Sequence, residues 1–135
     1  FMKHRLLKKG KGFTIIELMI TLIIVAILVA LAYPSYIDYV RKSKRGEAQQ
    51  LLMNWSINQE IWRSNNSQYA TAAQMAVPTN DNYDFDFSVD PTAVVYTLQA
   101  TAKGDQLNDE TKNGASCSPL TLNHQGVKGP AACWD

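Results

Sequence analysis

The most prominent feature of the hydropathy pattern is an almost unbroken apolar run near the N-terminus. It extends over 21 residues, from Phe13 to Tyr33, and only Thr14, Glu17 and Thr21 within it are polar. At about 1.5 Å per residue, a helix of this length spans about 30 Å, the thickness of a bilayer core. The remaining residues, about 100, are too few to surround such a segment, so we expect a membrane-spanning helix instead of a buried core helix.

Beyond this run the pattern becomes that of an amphipathic helix. Pro34 lacks an amide donor and is expected to kink the helix without ending it, whereas the polar residues Ser64–Ala70 are expected to end it. Two opposite apolar stripes recur at helical spacing: Ala48, Leu51, Leu52, Trp55, Gln59 and Trp62 on one side, and Met53, Ile57 and Ile61 on the other. The first stripe is expected to cover a sheet of the same chain and the second to meet helices of neighbouring chains; burial of both within one domain is the alternative.

Alternating apolar and polar residues predict a small antiparallel sheet in the C-terminal half. The predicted strands are Tyr83–Val89, Ala93–Ala102, a third from Leu120, and a short fourth within residues 131–135. Turns are expected at Asp90–Pro91 and Gln125–Gly126, and the polar segment 103–116 is expected to be an exposed loop. One long helix against such a sheet predicts an α+β fold.

Charge is distributed unevenly along the chain, although the formal net charge is only +1. Residues 1–12 carry five cations, residues 13–34 carry Glu17 alone, and residues 66–135 carry eight acids against three lysines. Cations that precede an apolar helix keep the N-terminus on the cytoplasmic side of a membrane. A basic tip, an apolar helix and an acidic remainder therefore predict a membrane-oriented protein.

A second basic cluster follows the apolar run, formed by Arg41, Lys42, Lys44 and Arg45. We expect these side chains to be solvated and to face lipid headgroups. Contact with DNA is the alternative. The acidic residues 66–135 contain no arginine, so they lack the positive charge that phosphate binding requires, and the sequence disfavours direct DNA binding.

Two places in the sequence suggest proteolytic processing. The residues around Ala30–Ala32 match a secretory cleavage site weakly. Gly12 gives a small, flexible residue at the junction between the basic tip and the apolar helix, directly before Phe13. Cleavage after Gly12 would leave the whole apolar helix attached to the mature chain.

The stretch KGFTIIELMITLIIVAILVALAYPSYIDYVRKSKRGEA resembles the N-terminus of type IV prepilins, which carry class III signals. Gly12 and Phe13 match the cleavage site, Glu17 matches the fifth residue of the mature chain, and Pro34 matches the proline that closes the apolar run. The resemblance implies that prepilin peptidase cleaves between Gly12 and Phe13 and methylates the new Phe13 amine. The block AYPSYIDYVRKSKRGEA, together with NNSQYA and the terminal CW, is especially similar to PilE/ComP-type minor pilins.

The resemblance implies the type IV pilin fold, with four parts. Residues 1–12 are a leader that is removed, 13–34 a transmembrane and filament-core helix, 35–65 its amphipathic continuation, and 66–135 a surface-exposed β-sheet head. It also implies an inner-membrane protein that later enters an extracellular pilus. Its partners would be major and minor pilins, prepilin peptidase and the inner-membrane assembly machinery.

The position of Glu17 is physically informative, because a carboxylate in hydrocarbon costs a few kcal/mol and needs a cationic partner. Cleavage after Gly12 creates one, the α-amine of Phe13. A pair within one chain is possible, but the family resemblance favours Glu17 of one subunit with Phe13 of its neighbour, which would set the axial register of a filament. An anchor with a protonated Glu17 is the simpler alternative.

Cys117 and Cys133 both lie in the exported part and enclose 15 residues. In an oxidising compartment a disulfide is the default expectation. A zinc site with His124 would have only three ligands and lacks the usual spacing. The acids Asp81, Asp84, Asp86 and Asp90 alternate along predicted strands and do not fit a calcium loop.

No nucleophile and base pattern stands out, so we predict no enzyme and no cofactor. The favoured function is a minor pilin that contributes to pilus biogenesis, twitching motility, adhesion or DNA uptake. A ComP-like DNA receptor and a type II secretion pseudopilin are the alternatives.

Overall fold

A computed structural model describes residues 10–134 of the chain. The chain forms two compact units, residues 1–37 and residues 38–135. One helix, α1 (Ile15–Asn65), begins in the first unit, continues without interruption through Pro34 and ends in the second. The prediction that Pro34 does not stop the helix is therefore confirmed, and the helix ends at the predicted polar turn.

The described part of the first unit, from residue 10, consists of a short segment without regular secondary structure followed by the apolar beginning of α1. Every side chain of the apolar run is exposed, including Ile16, Leu22 and Leu28. The helix is long and apolar enough to cross a membrane by length and composition. The backbone hydrogen bonds of the helix are made within the helix itself. Because all side chains of the apolar run are exposed, the described residues of this unit form no apolar core.

The second unit contains a four-stranded antiparallel sheet with the strands in sequential order. The strands are β1 (Tyr83–Val89), β2 (Thr97–Ala102), β3 (Leu120–Asn123) and β4 (Lys128–Gly129). Two 3₁₀ helices, Gly104–Asn108 and Ala131–Cys133, interrupt the connections. A helix against a small antiparallel sheet confirms the predicted α+β class.

The strand bounds correct the sequence predictions in two places. The second strand begins at Thr97 and not at Ala93, because the Thr92 amide donates to the Val95 carbonyl and closes a turn there. The predicted fourth strand within residues 131–135 is wrong, since Ala131–Cys133 is a 3₁₀ helix and the fourth strand is Lys128–Gly129. The turn before it is where predicted: Gly126 has φ +77°, a left-handed conformation that favours glycine.

The core lies between one face of α1 and the inner face of the sheet. Helix residues Ala48, Leu52 and Trp55 are buried in it, and the Trp55 ring lies 4.9 Å from the ring of Phe87. The sheet contributes Tyr83, Leu98, Ala100, Ala102, Leu120 and Leu122, and Tyr96, directly before β2, adds its ring. On the opposite helix face Met53, Ile57 and Ile61 are exposed. The first stripe therefore covers the sheet as predicted, and the alternative, burial of both stripes within one domain, does not hold.

Candidate functional site

The predicted cleavage residues lie in the segment before α1. Gly12 and Phe13 are both outside the helix, and Phe13 is 86% exposed. An exposed chain outside regular secondary structure is accessible to a protease. Most of the predicted leader, residues 1–9, lies outside the described residues.

Thr14 and Glu17 close the N-terminus of α1 with reciprocal hydrogen bonds. The Thr14 amide donates to Glu17 Oε2 at 2.9 Å, and the Glu17 amide donates to Thr14 Oγ1 at 3.2 Å. The Thr14 hydroxyl lies 3.1 Å from the same carboxylate oxygen. This is a capping box, in which two side chains satisfy amides that the first helical turn leaves without carbonyl partners.

The capping box adds Thr14 to the residues that matter at the start of α1. The sequence analysis includes Thr14 only as a polar residue of the apolar run, although T-x-x-E before an apolar helix is the known signature of this cap. Glu17 therefore has a partner within its own turn before any amine is created at Phe13. The Thr21 hydroxyl also has hydrogen-bond partners within the helix, because it donates to the carbonyls of Glu17 and Leu18.

The C-terminal end of the second unit is fixed by a disulfide between Cys117 and Cys133, as predicted. Both residues are buried. Helix α1 contacts both ends of this bridge: Gln49 Nε2 donates to the Cys133 carbonyl, and Arg45 Nη1 lies 3.3 Å from Cys117 Sγ. The disulfide therefore joins the last described residues to the helix as well as to the sheet.

Two cations of the basic cluster are paired with acids of the head, and one of them, Arg45, is buried, which corrects the prediction of a solvated cluster. Arg41 forms a two-pronged pair with Asp105, with Nε to Oδ2 at 3.1 Å and Nη2 to Oδ1 at 2.9 Å. Arg45 Nη1 lies 2.8 Å from both carboxylate oxygens of Asp109, and both of these side chains are buried. Because these partners are 64 residues apart, no local pattern in the sequence indicates them.

The segment that carries Asp105 and Asp109 is correspondingly not a fully exposed loop. Gln106 is buried, and its side-chain amide donates both to the Arg41 carbonyl and to the Tyr83 hydroxyl. Burial raises the pKa of Tyr83 to about 12, although the hydrogen bond from Gln106 opposes this shift. The Tyr83 hydroxyl therefore stays neutral at physiological pH.

Charge is also uneven within the second unit. Asp81, Asp84, Asp86 and Asp90 are exposed, and Asp84 pairs with Lys103 at 3.2 Å. Residues 111–134, in contrast, contain Lys112 and Lys128 and no acid. Lys128 Nζ lies 5.4 Å from the centre of the Trp134 ring, and Trp134 Nε1 donates to the Gly129 carbonyl. The average charge of the head thus conceals a segment without acids, residues 111–134, although Asp109 lies close to the disulfide in space.

The sequence profile of one protein family, described as "Type IV minor pilin ComP, DNA uptake sequence receptor", matches residues 34–121, which is more than half of the chain. The chain belongs to this family. The prokaryotic N-terminal methylation motif matches residues 7–33, immediately before it. The two matches together cover the predicted cleavage residues, the apolar helix and most of the head.

Comparison with individual proteins also gives pilins and fimbrial proteins. The chain is 34% identical over 110 residues to a type IV major pilin protein PilE1 of Neisseria gonorrhoeae, covering 76% of this chain and 49% of the relative. It is 36% identical over 109 residues to a fimbrial protein of Neisseria meningitidis, covering 76% of this chain and 61% of that protein. The chain thus spans about half to three fifths of the length of these curated relatives.

Among solved structures, a type IV pilin from Shewanella oneidensis has a TM-score of 0.55 and 26% identity. The match covers 70% of this chain and 98% of the other. The type IV pilin fold is therefore confirmed. Members of this family are structural pilins and not enzymes. The methylation motif followed by the apolar helix is typical of a pilin that is anchored in the inner membrane.

Proposed function

We propose that this chain is a minor pilin that is cleaved between Gly12 and Phe13 and assembled into a type IV pilus through α1. The observation that carries the proposal is the arrangement at the start of the helix. An exposed cleavage segment leads into a capped helix whose apolar side chains, from Phe13 to Tyr33, have no cover within the described part of their own unit. Lipid first and neighbouring pilin helices later would provide that cover.

Cleavage would change the surroundings of Glu17. Its carboxylate already accepts hydrogen bonds from Thr14, so it can remain in the membrane with part of its hydrogen-bonding capacity satisfied. A methylated amine at Phe13 of a neighbouring subunit would add the cation that Thr14 cannot supply. Glu17 would then hold the axial register between subunits, and the leader would prevent this pairing until it is removed.

The second contribution to assembly would come from the exposed face of α1 within the second unit. Met53, Ile57 and Ile61 form this face, and a shallow apolar hollow of 450 Å³ adjoins it beside Trp62 and Met75. Apolar side chains at helical spacing are suited to packing against another helix. In this proposal residues 13–34 form the filament core, 35–65 continue the packing, and 66–135 form the head after leader residues 1–12 are lost.

Processing is tested by mass spectrometry of the mature N-terminus. The native protein should begin with methylated Phe13, and Gly12→Val should keep the leader because a branched side chain obstructs the peptidase. Gly10→Val is the matched control, since it makes the same change two residues away, and should be processed normally. Mature-length protein in the Gly12→Val strain would exclude this cleavage site.

Assembly is tested by the recovery of the subunit in sheared pili. Glu17→Ala should be cleaved normally but recovered at a small fraction of the native amount, because the subunit lacks its register contact. Glu47→Ala removes an exposed acid from the same helix, outside the apolar run, and should be recovered normally. Equal recovery of the two variants would argue against a pairing role for Glu17.

A second candidate function is DNA contact, which the description of the ComP family as a DNA uptake sequence receptor suggests. The pair of Lys128 and Trp134 supports it, because the two side chains offer a phosphate contact and an aromatic face side by side. Full-length protein in detergent should then retard DNA strongly at low salt and weakly at high salt. Lys128→Gln should weaken this binding more than Lys103→Gln, in which the lost lysine is already paired with Asp84; equal effects would remove this surface as the contact.

A further inference from the structure

An exposed turn of the second unit, residues 111–115, carries the dipeptide Asn113-Gly114. The chain contains nine asparagines, and Asn113 alone is followed by glycine. Because glycine has no Cβ, its backbone amide is the least hindered neighbour that a side-chain carboxamide can have. Neither the family match nor the proposed assembly assigns this turn a role.

Three local hydrogen bonds close the turn. The Thr111 amide donates to the Ala115 carbonyl at 2.8 Å, and the Gly114 amide donates to the Thr111 carbonyl at 2.9 Å. The Ala115 amide donates to Thr111 Oγ1 at 3.1 Å. Below these bonds, Glu110 and Ser116 form a β-bridge that fixes the base of the turn to the head. The turn can therefore open by itself, without unfolding of the second unit.

The side chain of Asn113 is free to move, unlike several other asparagines of the chain. Within residues 10–134, its exposed carboxamide makes no hydrogen bond, so it can rotate towards the amide of Gly114. In contrast, Asn66 Nδ2 donates to the Trp62 carbonyl at 2.8 Å, and Asn123 Oδ1 accepts hydrogen bonds from two backbone amides. Asn113 therefore combines a free carboxamide with an unhindered neighbouring amide.

We propose that Asn113 is a site of spontaneous deamidation in the folded chain. When the turn opens, the Gly114 nitrogen loses its proton to solvent and attacks Asn113 Cγ. A bond forms between this nitrogen and Cγ, the bond between Cγ and Nδ2 breaks, and ammonia leaves behind a cyclic imide. Water then opens the ring to give an aspartate or an isoaspartate. The net reaction consumes water and releases ammonia, and nothing is oxidised or reduced.

The product places a carboxylate in a segment that has none, since residues 111–134 contain no acid. The new carboxylate lies next to Lys112, and residues 112 and 113 both line a cleft of 790 Å³ that Lys42 and Arg45 also line. An isoaspartate additionally lengthens the backbone of the turn, because its side-chain carbon becomes part of the main chain. The proposal rests on the turn and not on cleavage, membrane insertion or assembly.

The test is peptide mapping by mass spectrometry of the folded full-length chain in detergent, after incubation at neutral pH for increasing times. The deamidated fraction at Asn113 should rise several-fold faster than that at Asn66, which is also exposed but held by its hydrogen bond. Gln125, which precedes Gly126, should stay unmodified because its longer side chain must close a larger ring. Equal rates at Asn113 and Asn66 would overturn the proposal.

Variants of the turn provide an independent arm. Thr111→Val keeps the shape of the side chain but removes the hydroxyl that accepts from the Ala115 amide, so the turn should open more often and Asn113 should deamidate several-fold faster. Thr101→Val makes the same change on β2 and should leave the rate unchanged. Asn113→Gln should abolish the modification in this peptide. An unchanged rate in Thr111→Val, or deamidation that occurs only in denaturant, would overturn the proposal.

Discussion

Glu17 in the first unit lies in an apolar stretch of sequence, and Asp109 in the second unit is buried in the fold, but the two carboxylates bond to their partners in different ways. Glu17 bonds to Thr14, three residues away, within the same helical turn. Asp109 bonds to Arg45, 64 residues away, across the interior of the second unit. The first arrangement needs nothing beyond one turn of helix, whereas the second exists only when the whole unit is folded.

This difference indicates how each unit is stabilised. The first unit satisfies its polar groups locally and leaves its apolar side chains uncovered, so its stability depends on lipid or other subunits. The second unit buries its apolar side chains and fixes α1 by contacts that are distant in sequence. Changes in the second unit should therefore affect folding, and changes in the first should affect helix ends and assembly.

The largest effect is expected from Asp109→Ala. The change leaves the Arg45 guanidinium buried without its carboxylate, which typically destabilises a protein by about 3 to 5 kcal/mol. Chemical denaturation of the full-length chain in detergent, followed by tryptophan fluorescence, measures the loss. Combined Arg45→Met and Asp109→Leu is the matched control, because it removes the pair without leaving a charge and should restore most of the stability. If Asp109→Ala unfolded at the same denaturant concentration as the native chain, the buried pair of Arg45 and Asp109 would not contribute to stability as expected.

The next effect is expected from the disulfide. Cys117→Ser with Cys133→Ser removes a link across 16 residues of sequence and should destabilise the second unit by about 3 kcal/mol on the chain-entropy model. It should also release the C-terminal residues from Gln49, which contacts the Cys133 carbonyl. The melting temperature of the oxidised protein, measured with and without reductant, checks this. The double variant should not respond to reductant, and a reductant-insensitive native protein would contradict the expected contribution.

The features that were predicted correctly are those that depend on residues close together in the sequence. The apolar run and the two stripes of α1 persist over many turns, and the alternation in Tyr83–Val89 matches β1 residue for residue. Strand β4 has only two residues, too few for any periodicity to appear. Its position depends on the turn at Gly126 and on pairing with β3, which only the folded sheet provides.

The candidate site was predictable to a similar extent. Gly12, Phe13 and Glu17 stand in a compact motif, and their roles stay predictions. The T-x-x-E spacing also indicates Thr14 as the partner of Glu17 in the helix cap. The pairs of Arg41 and Arg45 could not, because the acids that hold them lie in a polar segment with no distinguishing pattern. Their burial follows from the tertiary position of residues 103–110 against α1.

A moderate effect is expected from Thr14→Ala. Loss of the cap should destabilise the first turn of α1 by about 1 kcal/mol and leave the folding of the second unit unchanged. Hydrogen exchange of the Glu17 amide in the full-length chain should become several-fold faster, since this amide donates to Thr14 Oγ1. Thr21→Ala removes a hydroxyl that bonds only to carbonyls and should not accelerate it. Equal exchange in both variants would show that the capping box contributes nothing.

The smallest effect is expected from Asp105→Asn. Asp105 pairs with Arg41, and the Asp105 side chain is exposed to solvent. The hydrogen bond from Arg41 lowers the pKa of Asp105 below its ordinary value. A carboxyl with a depressed pKa in the folded state stabilises the fold above its unfolded pKa of about 3.9, and this contribution is lost as the pH falls through the folded pKa. Melting temperatures between pH 5 and pH 2 should therefore fall slightly less steeply for Asp105→Asn than for the native chain, whereas Asp81→Asn should follow the native slope. Identical slopes for all three proteins would show that the pair of Arg41 and Asp105 contributes nothing to the free energy of unfolding, because screening by solvent cancels the attraction.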